Sequence, residues 1–140
     1  MAAPNEARLD EHLAAENAHD LDAIMATYGA APVIVINGQR LAGAAALREF
    51  HRGFGFGGGG DAASFSDVHV IERARHHAPD AVILQQTLSG VHTGTWQALP
   101  ASGRRFEVEV CTVYQFDDAG MLASEHVYFD VAWLTRQLTR

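Results

Sequence analysis

The chain has 140 residues and one cysteine, Cys111, so no internal disulfide can form and the usual sign of a small secreted domain is missing. Its first residues, Met1-Ala-Ala-Pro-Asn-Glu6, have neither a basic start nor an apolar run and do not read as a secretory signal. No stretch approaches the ~20 consecutive apolar residues of a membrane helix, so a cytoplasmic protein without a membrane partner is expected. Positive charge is also scarce: ten basic residues face seventeen acidic ones, for a formal net charge of -7. The basic pairs Arg73/Arg75 and Arg104/Arg105 are flanked by carboxylates, and a surface of this sign repels phosphate backbones, so no nucleic-acid partner is expected. A Gly-x-Ser-x-Gly elbow, a phosphate-binding loop and a dinucleotide fingerprint are absent. Eight histidines are present, but there is no His-x-His, no His-x-x-x-His and no cysteine pair, and His76-His77 falls in a turn. The spacing therefore predicts no metal site.

Hydrophobic residues make up 48% of the chain, enough for one domain (1–140) with its own core. Leu9, Leu13, Leu21, Ile24, Met25 and Tyr28 recur at helical spacing, with a phase slip at Asn17–Asp20. Two helices follow, over 6–18 and 21–29, the second capped by Asp20. Val33–Ile36 reads as a strand, Asn37-Gly38 as a tight hairpin turn and Gln39–Ala42 as the returning strand. Gly43–His51 reads as a third helix. The glycine-dense run Gly53–Gly60 reads either as a flexible connector or as a lid that carries Phe54 and Phe56 over a pocket mouth. Strands are then expected at Phe65–Arg75, Ala81–Thr93, Arg104–Phe116 and Met121–Phe129. Val131, Leu134 and Leu138 mark a closing helix. On the third of these strands Val108, Val110, Thr112, Tyr114 and Phe116 share a face opposite Glu107 and Glu109. Helices first and long antiparallel strands after them predict an α+β fold, with helices on one face of a curved sheet and a ligand site at the mouth of the resulting cone.

Several segments carry a family likeness: Asn17-Ala-His-Asp-Leu-Asp22 with Tyr28, Gly43-Ala-Ala-Ala-Leu-Arg-Glu-Phe50, Gly90-Val-His-Thr-Gly94, Leu99-Pro-Ala-Ser-Gly-Arg104, and Glu125-His-Val-Tyr-Phe-Asp130 ahead of Leu134-Thr-Arg-Gln-Leu138. Together they resemble the SnoaL-like polyketide cyclases of the nuclear-transport-factor-2-like (NTF2-like) superfamily, over nearly the whole chain. The resemblance implies a cone-shaped NTF2-like domain, usually dimeric or larger, that binds a small apolar molecule without metal or organic cofactor. It also implies an acid/base Asp near the end of the last strand for intramolecular aldol closure, and Asp130 is the matching residue.

Asp130 has two readings. A carboxyl among Tyr128, Phe129 and Trp133 suits proton transfer, because desolvation raises its pKa toward the working range. It also directly precedes the closing helix and can cap it. His92 either donates to a developing enolate oxygen or orients Asp130, or else is a histidine hydrogen-bonded at a strand end. His126 shares the face of Tyr128 and Asp130 in an ideal strand, whereas a bulge would turn Glu125 to that face. Gln86, Thr112 and Tyr114 are candidate pocket hydrogen-bonding groups, and Tyr28 belongs to the candidate pocket set. His12 stands where some members of the resembled family place a polar pocket residue, although its helix position also suits exposure. Trp96, Trp133, Phe106 and Phe116 read as core or interface.

The residues thus frame two functions: a cofactor-free cyclase, isomerase or lyase, or a non-catalytic module that binds a ligand or dimerises. A ketosteroid-isomerase pattern fits poorly, since its base would fall on Ile36 or Asn37 and its second acid near Thr112. No arginine is placed for the Asp–Arg–Asp set of an epoxide hydrolase. The mixed face of Glu107, Glu109, Cys111 and Val113 predicts a sheet half covered by a partner, hence a homodimer.

Overall fold

The computed structural model describes every residue except Met1, Gly59 and Asp61. Two helices open the chain, α1 (Glu6–Asn17) and α2 (Leu21–Met25), followed by a hairpin of β1 (Tyr28–Ile36) and β2 (Gln39–Ala42) and by α3 (Ala44–Phe54). Four strands follow, β3 (Phe65–Ala78), β4 (Ala81–His92), β5 (Arg105–Phe116) and β6 (Leu122–Phe129), and α4 (Val131–Thr139) ends the fold. They form one six-stranded sheet in the order β2-β1-β6-β5-β4-β3, with β1 and β6 parallel and every other pair antiparallel. This is the α+β architecture expected from the sequence. Among the described residues no helix is long and apolar enough to cross a membrane.

The local chemistry explains the boundaries. Asn5 and Asp20 cap α1 and α2, their side-chain oxygens accepting from the Arg8 and Ala23 amides. The second helix is shorter than the spacing predicts. It stops at Met25 because Tyr28 already pairs with Leu122 and the Thr27 carbonyl accepts from the Leu122 amide. Pro32, which has no N–H to give, lies in the gap of the β1–β6 ladder between Tyr28 and Val33. Asn37 and Gly38 both take positive φ, as a tight hairpin between twisted strands requires. The β3–β4 hairpin is longer than expected, with His76 and His77 still paired in the ladder and only Pro79-Asp80 turning.

The core lies between the inner face of the sheet and α1 and α3. Phe65, Phe106, Phe54 and Trp96 fill one end of it, their rings packing on Phe65 with centroids 4.7 to 5.8 Å apart.

Candidate functional site

A cavity of about 530 Å³ opens between the sheet and α3. That size suits a small organic ligand. Its walls are aliphatic and aromatic: Ile34, Val110 and Val127 from the sheet, Phe50 and Phe54 from α3, with Phe56 and Trp96 beside them. Phe54 ends α3 and stacks on Phe56 at 5.4 Å. Gly55 between them has a φ of +127°, and a Cβ there would lie 2.1 Å from the Phe65 carbonyl oxygen. Phe54 and Phe56 are therefore packed wall residues rather than the tips of a loose loop.

Polar groups gather at and behind the floor: Glu16, His51 and Glu125 line the cavity, whereas His12 and Tyr28, both expected in the pocket, pack behind them and do not line it. His12, on α1, is fully buried, and Glu16 lies one turn further along the same helix. His51 comes from α3, Tyr28 from the start of β1 and Glu125 from β6, all buried. The His12 Nε2 atom lies 3.5 Å from Glu16 Oε2 and 3.5 Å from Glu125 Oε1. His51 Nε2 lies 3.8 Å from Glu16 Oε2 and 3.5 Å from the Tyr28 hydroxyl. That hydroxyl donates to Glu125.

The hydrogen bonds behind these groups fix both imidazoles. Thr27 Oγ1 spends its one hydrogen on the Ile24 carbonyl, so at 2.8 Å from His12 Nδ1 it accepts. His51 Nδ1 donates to the Leu47 carbonyl at 2.7 Å. Both Nδ1 atoms thus carry hydrogen, and both Nε2 atoms point into the cluster. Burial disfavours a charged His12, but the Glu16 and Glu125 carboxylates outweigh it and push its pKa up to about 10. Glu125 is raised by burial and lowered more by the His12 imidazolium, so it stays below the ordinary carboxylate range. Burial, with Glu125 adding to it, holds the Tyr28 and Tyr114 phenols well above their ordinary value. Tyr114, Gln86 and Thr112 line the cavity beside the floor, the Thr112 hydroxyl donating to Gln86 at 3.0 Å.

Other residues expected at the site lie elsewhere. Asp130 is exposed and outside the cavity: it caps α4, its Oδ1 accepting from the Trp133 amide at 3.0 Å. His92 is buried but does not line the cavity; its Nδ1 accepts from the Ser102 amide at 3.2 Å and meets the Ser102 hydroxyl at 2.9 Å. It braces the β4–β5 connection and does not reach Asp130. His126 and Tyr128 stand on the outer face, because an irregularity in the β5–β6 ladder between Gln115 and Phe116 shifts the alternation. Leu122 is buried before the break, and after it Glu125, Val127 and Phe129 face the cavity. His12 corrects the expectation of exposure. The residues missed altogether are Glu16 and His51. Their signals were the i, i+4 spacing of His12 and Glu16, and His51 standing one turn after Leu47 on α3.

A cavity with apolar walls and a charged floor is the setting in which likeness to known proteins carries weight. The family model for the SnoaL-like polyketide cyclase matches residues 9–138. The chain belongs to that family. Solved structures agree on the fold of this SnoaL-like protein. TsrD from Streptomyces laurentii is 24% identical, with 96% of this chain and 93% of that chain covered and a TM-score of 0.79. A protein of ketosteroid isomerase-like fold from Catenulispora acidiphila is 16% identical, with 98% and 94% covered and a TM-score of 0.76. An LEH-like epoxide hydrolase of M. tuberculosis is 20% identical, with 94% and 86% covered and a TM-score of 0.69. No curated protein matches. At these identities the structures speak for the fold alone, and function has to be argued from the cavity floor.

Proposed function

We propose that this SnoaL-like protein binds a small, largely apolar, polyketide-like molecule and catalyses proton transfer on it, as a cyclase or a related isomerase or lyase. The observation that carries the reading is the floor of the cavity: His51, Glu16 and Glu125 lie together at one end of a chamber whose other walls are mostly apolar and aromatic. His51 is the acid/base. Its Nδ1–H is committed to the Leu47 carbonyl, so the neutral ring presents the basic Nε2 lone pair. Glu16, 3.8 Å away, stabilises the imidazolium once it has taken a proton. In aldol closure, a C–H between two carbonyls gives its proton to Nε2. The enolate carbon then attacks a second carbonyl of the same molecule, and the new alkoxide recovers the proton from His51. Tyr114 and Thr112 supply hydroxyls beside the path, and the apolar walls fold the substrate and exclude water. All ten basic residues are arginine, so Schiff-base chemistry through a lysine is closed to this chain. The acid/base is thereby assigned to the cavity floor and not to Asp130.

The test uses benzoylacetone, an aromatic β-diketone that fits the chamber by size and polarity. Deuterium exchange at its central carbon is followed by NMR in EDTA-treated protein. Saturable acceleration that His51→Gln abolishes supports the reading. Exchange no faster than in buffer, with the diketone bound, reduces the site to a binding module.

The family resemblance also supports a homodimer through the outer sheet face, where Tyr128 is 50% exposed next to Cys111.

A further inference from the structure

We propose that His12, Glu16 and His51 form a binding site for a divalent transition-metal cation of the zinc type. Three separate observations converge on it. First, the potential ligand atoms of these buried residues all lie within 4.8 Å of one another. The separations of 3.5 and 3.8 Å from Glu16 Oε2 to the two Nε2 atoms are too long for good hydrogen bonds. They are close to the edge of a tetrahedron, which for zinc bonds of ~2.0–2.1 Å spans roughly 3.4 Å. Second, His12 Nε2 is buried with no partner at hydrogen-bond geometry, its neighbours being the Glu16 and Glu125 carboxylate oxygens at 3.5 Å. Third, each imidazole is already oriented from behind, His12 by Thr27 Oγ1 and His51 by the Leu47 carbonyl. This outer-shell support turns Nε2 toward a metal and fixes the tautomer.

Two imidazoles and one carboxylate suit zinc, cobalt(II) or nickel(II). They do not suit magnesium or calcium, which take oxygen ligands. Charge agrees as well, because a dication between neutral imidazoles balances the Glu16 and Glu125 carboxylates. Glu125 is not within the three-residue set but sits 3.5 Å from His12 Nε2, held by Tyr28. Glu16 and His51 both line the cavity, so the fourth coordination position opens toward a water or a bound ligand. Sequence spacing did not reveal the set, because Glu16 takes the place of the second histidine in a His-x-x-x-His run and His51 arrives from another helix. The inference does not rest on proton transfer by His51: a bound metal would occupy the same Nε2 lone pair, so the proton transfer belongs to the metal-free protein, and in the loaded one the metal replaces the proton that His12 holds between two carboxylates.

The test titrates the EDTA-stripped full chain with cobalt(II), without substrate, and follows the visible bands that mark a four- or five-coordinate site. Competition with zinc then gives the affinity. One equivalent with these bands is expected. Glu16→Gln and His51→Ala should each weaken binding by about a hundredfold or more, since even outer-shell changes cost 10–100-fold. His76→Ala and His77→Ala, at the exposed β3 end, should leave binding unchanged. X-ray absorption on the zinc-loaded wild type reads two imidazole ligands whether or not a variant folds. Absence of the bands, one imidazole or none, or binding lost only in the β3 variants would overturn the proposal. Because the diketone assay runs in EDTA, it can fail or succeed independently of this result.

Discussion

Replacing His12 by Gln removes the imidazole that faces both floor carboxyls at 3.5 Å. Two routes give the cost. Removing one partner of a buried charge pair costs about 3–5 kcal/mol. A ring held up to about 10, against 6.5 in the unfolded chain, is worth on the order of 4 kcal/mol at neutral pH. A loss of about 4 kcal/mol in a domain of this size lowers Tm by on the order of 10–20 °C. The deficit should also depend on pH, with a definite sign. In the wild type the His12 contribution is fully present below pH 6.5, and the lowered Glu125 contribution is present above its unfolded value, so stability from this pair is nearly flat between pH 5 and 7. In the variant two carboxylates face each other without a cation, which raises one of their pKa values. The variant therefore gains stability as pH falls from 7 to 5, and the deficit narrows. Above neutrality the wild type loses the His12 contribution as pH rises toward about 10. Urea denaturation of both proteins in EDTA at pH 5, 7 and 9 reads all three effects. A variant as stable as the wild type at pH 7, or a deficit that ignores pH, would refute a charged His12 at the cavity floor.

Three further outcomes follow from named contacts. Asp130→Ala should cost about 1 kcal/mol in urea denaturation, through loss of the α4 cap, whereas Asp130→Asn should cost a few tenths. Gly55→Ala combines a φ of +127° with a Cβ 2.1 Å from a backbone oxygen, so a loss of about 3 kcal/mol or more is expected, together with weaker diketone binding as the Phe54–Phe56 wall shifts. Tyr128→Glu should convert a dimer to monomer in light scattering without changing the far-UV spectrum; an unchanged mass would remove this face from the interface.

The fold was legible wherever apolar residues kept strict time. On β5 the alternation from Phe106 to Phe116 is unbroken, and every second residue is buried. Asn37-Gly38 announced its turn, and Asp20 its helix. The site was harder to read because its residues break the patterns that reveal structure. His12 and Glu16 are polar groups on the buried stripe of α1, so that stripe looks solvent-facing. The β5–β6 irregularity reverses the parity of β6, and a one-residue break moves Glu125 in and His126 out. Asp130 drew attention through its family position, but in this chain its carboxylate is used on the Trp133 amide. No local spacing could bring His51 to Glu16, since their meeting depends on how α3 packs against β1 and α2.

The most direct test of the account compares His51→Gln with Asp130→Asn in the benzoylacetone exchange assay, each checked for folding. Loss of the accelerated exchange in His51→Gln, by about a hundredfold or more as expected for a missing acid/base, with full retention in Asp130→Asn, is the predicted result. Retention in His51→Gln with loss in Asp130→Asn would contradict the assignment of chemistry to the cavity floor.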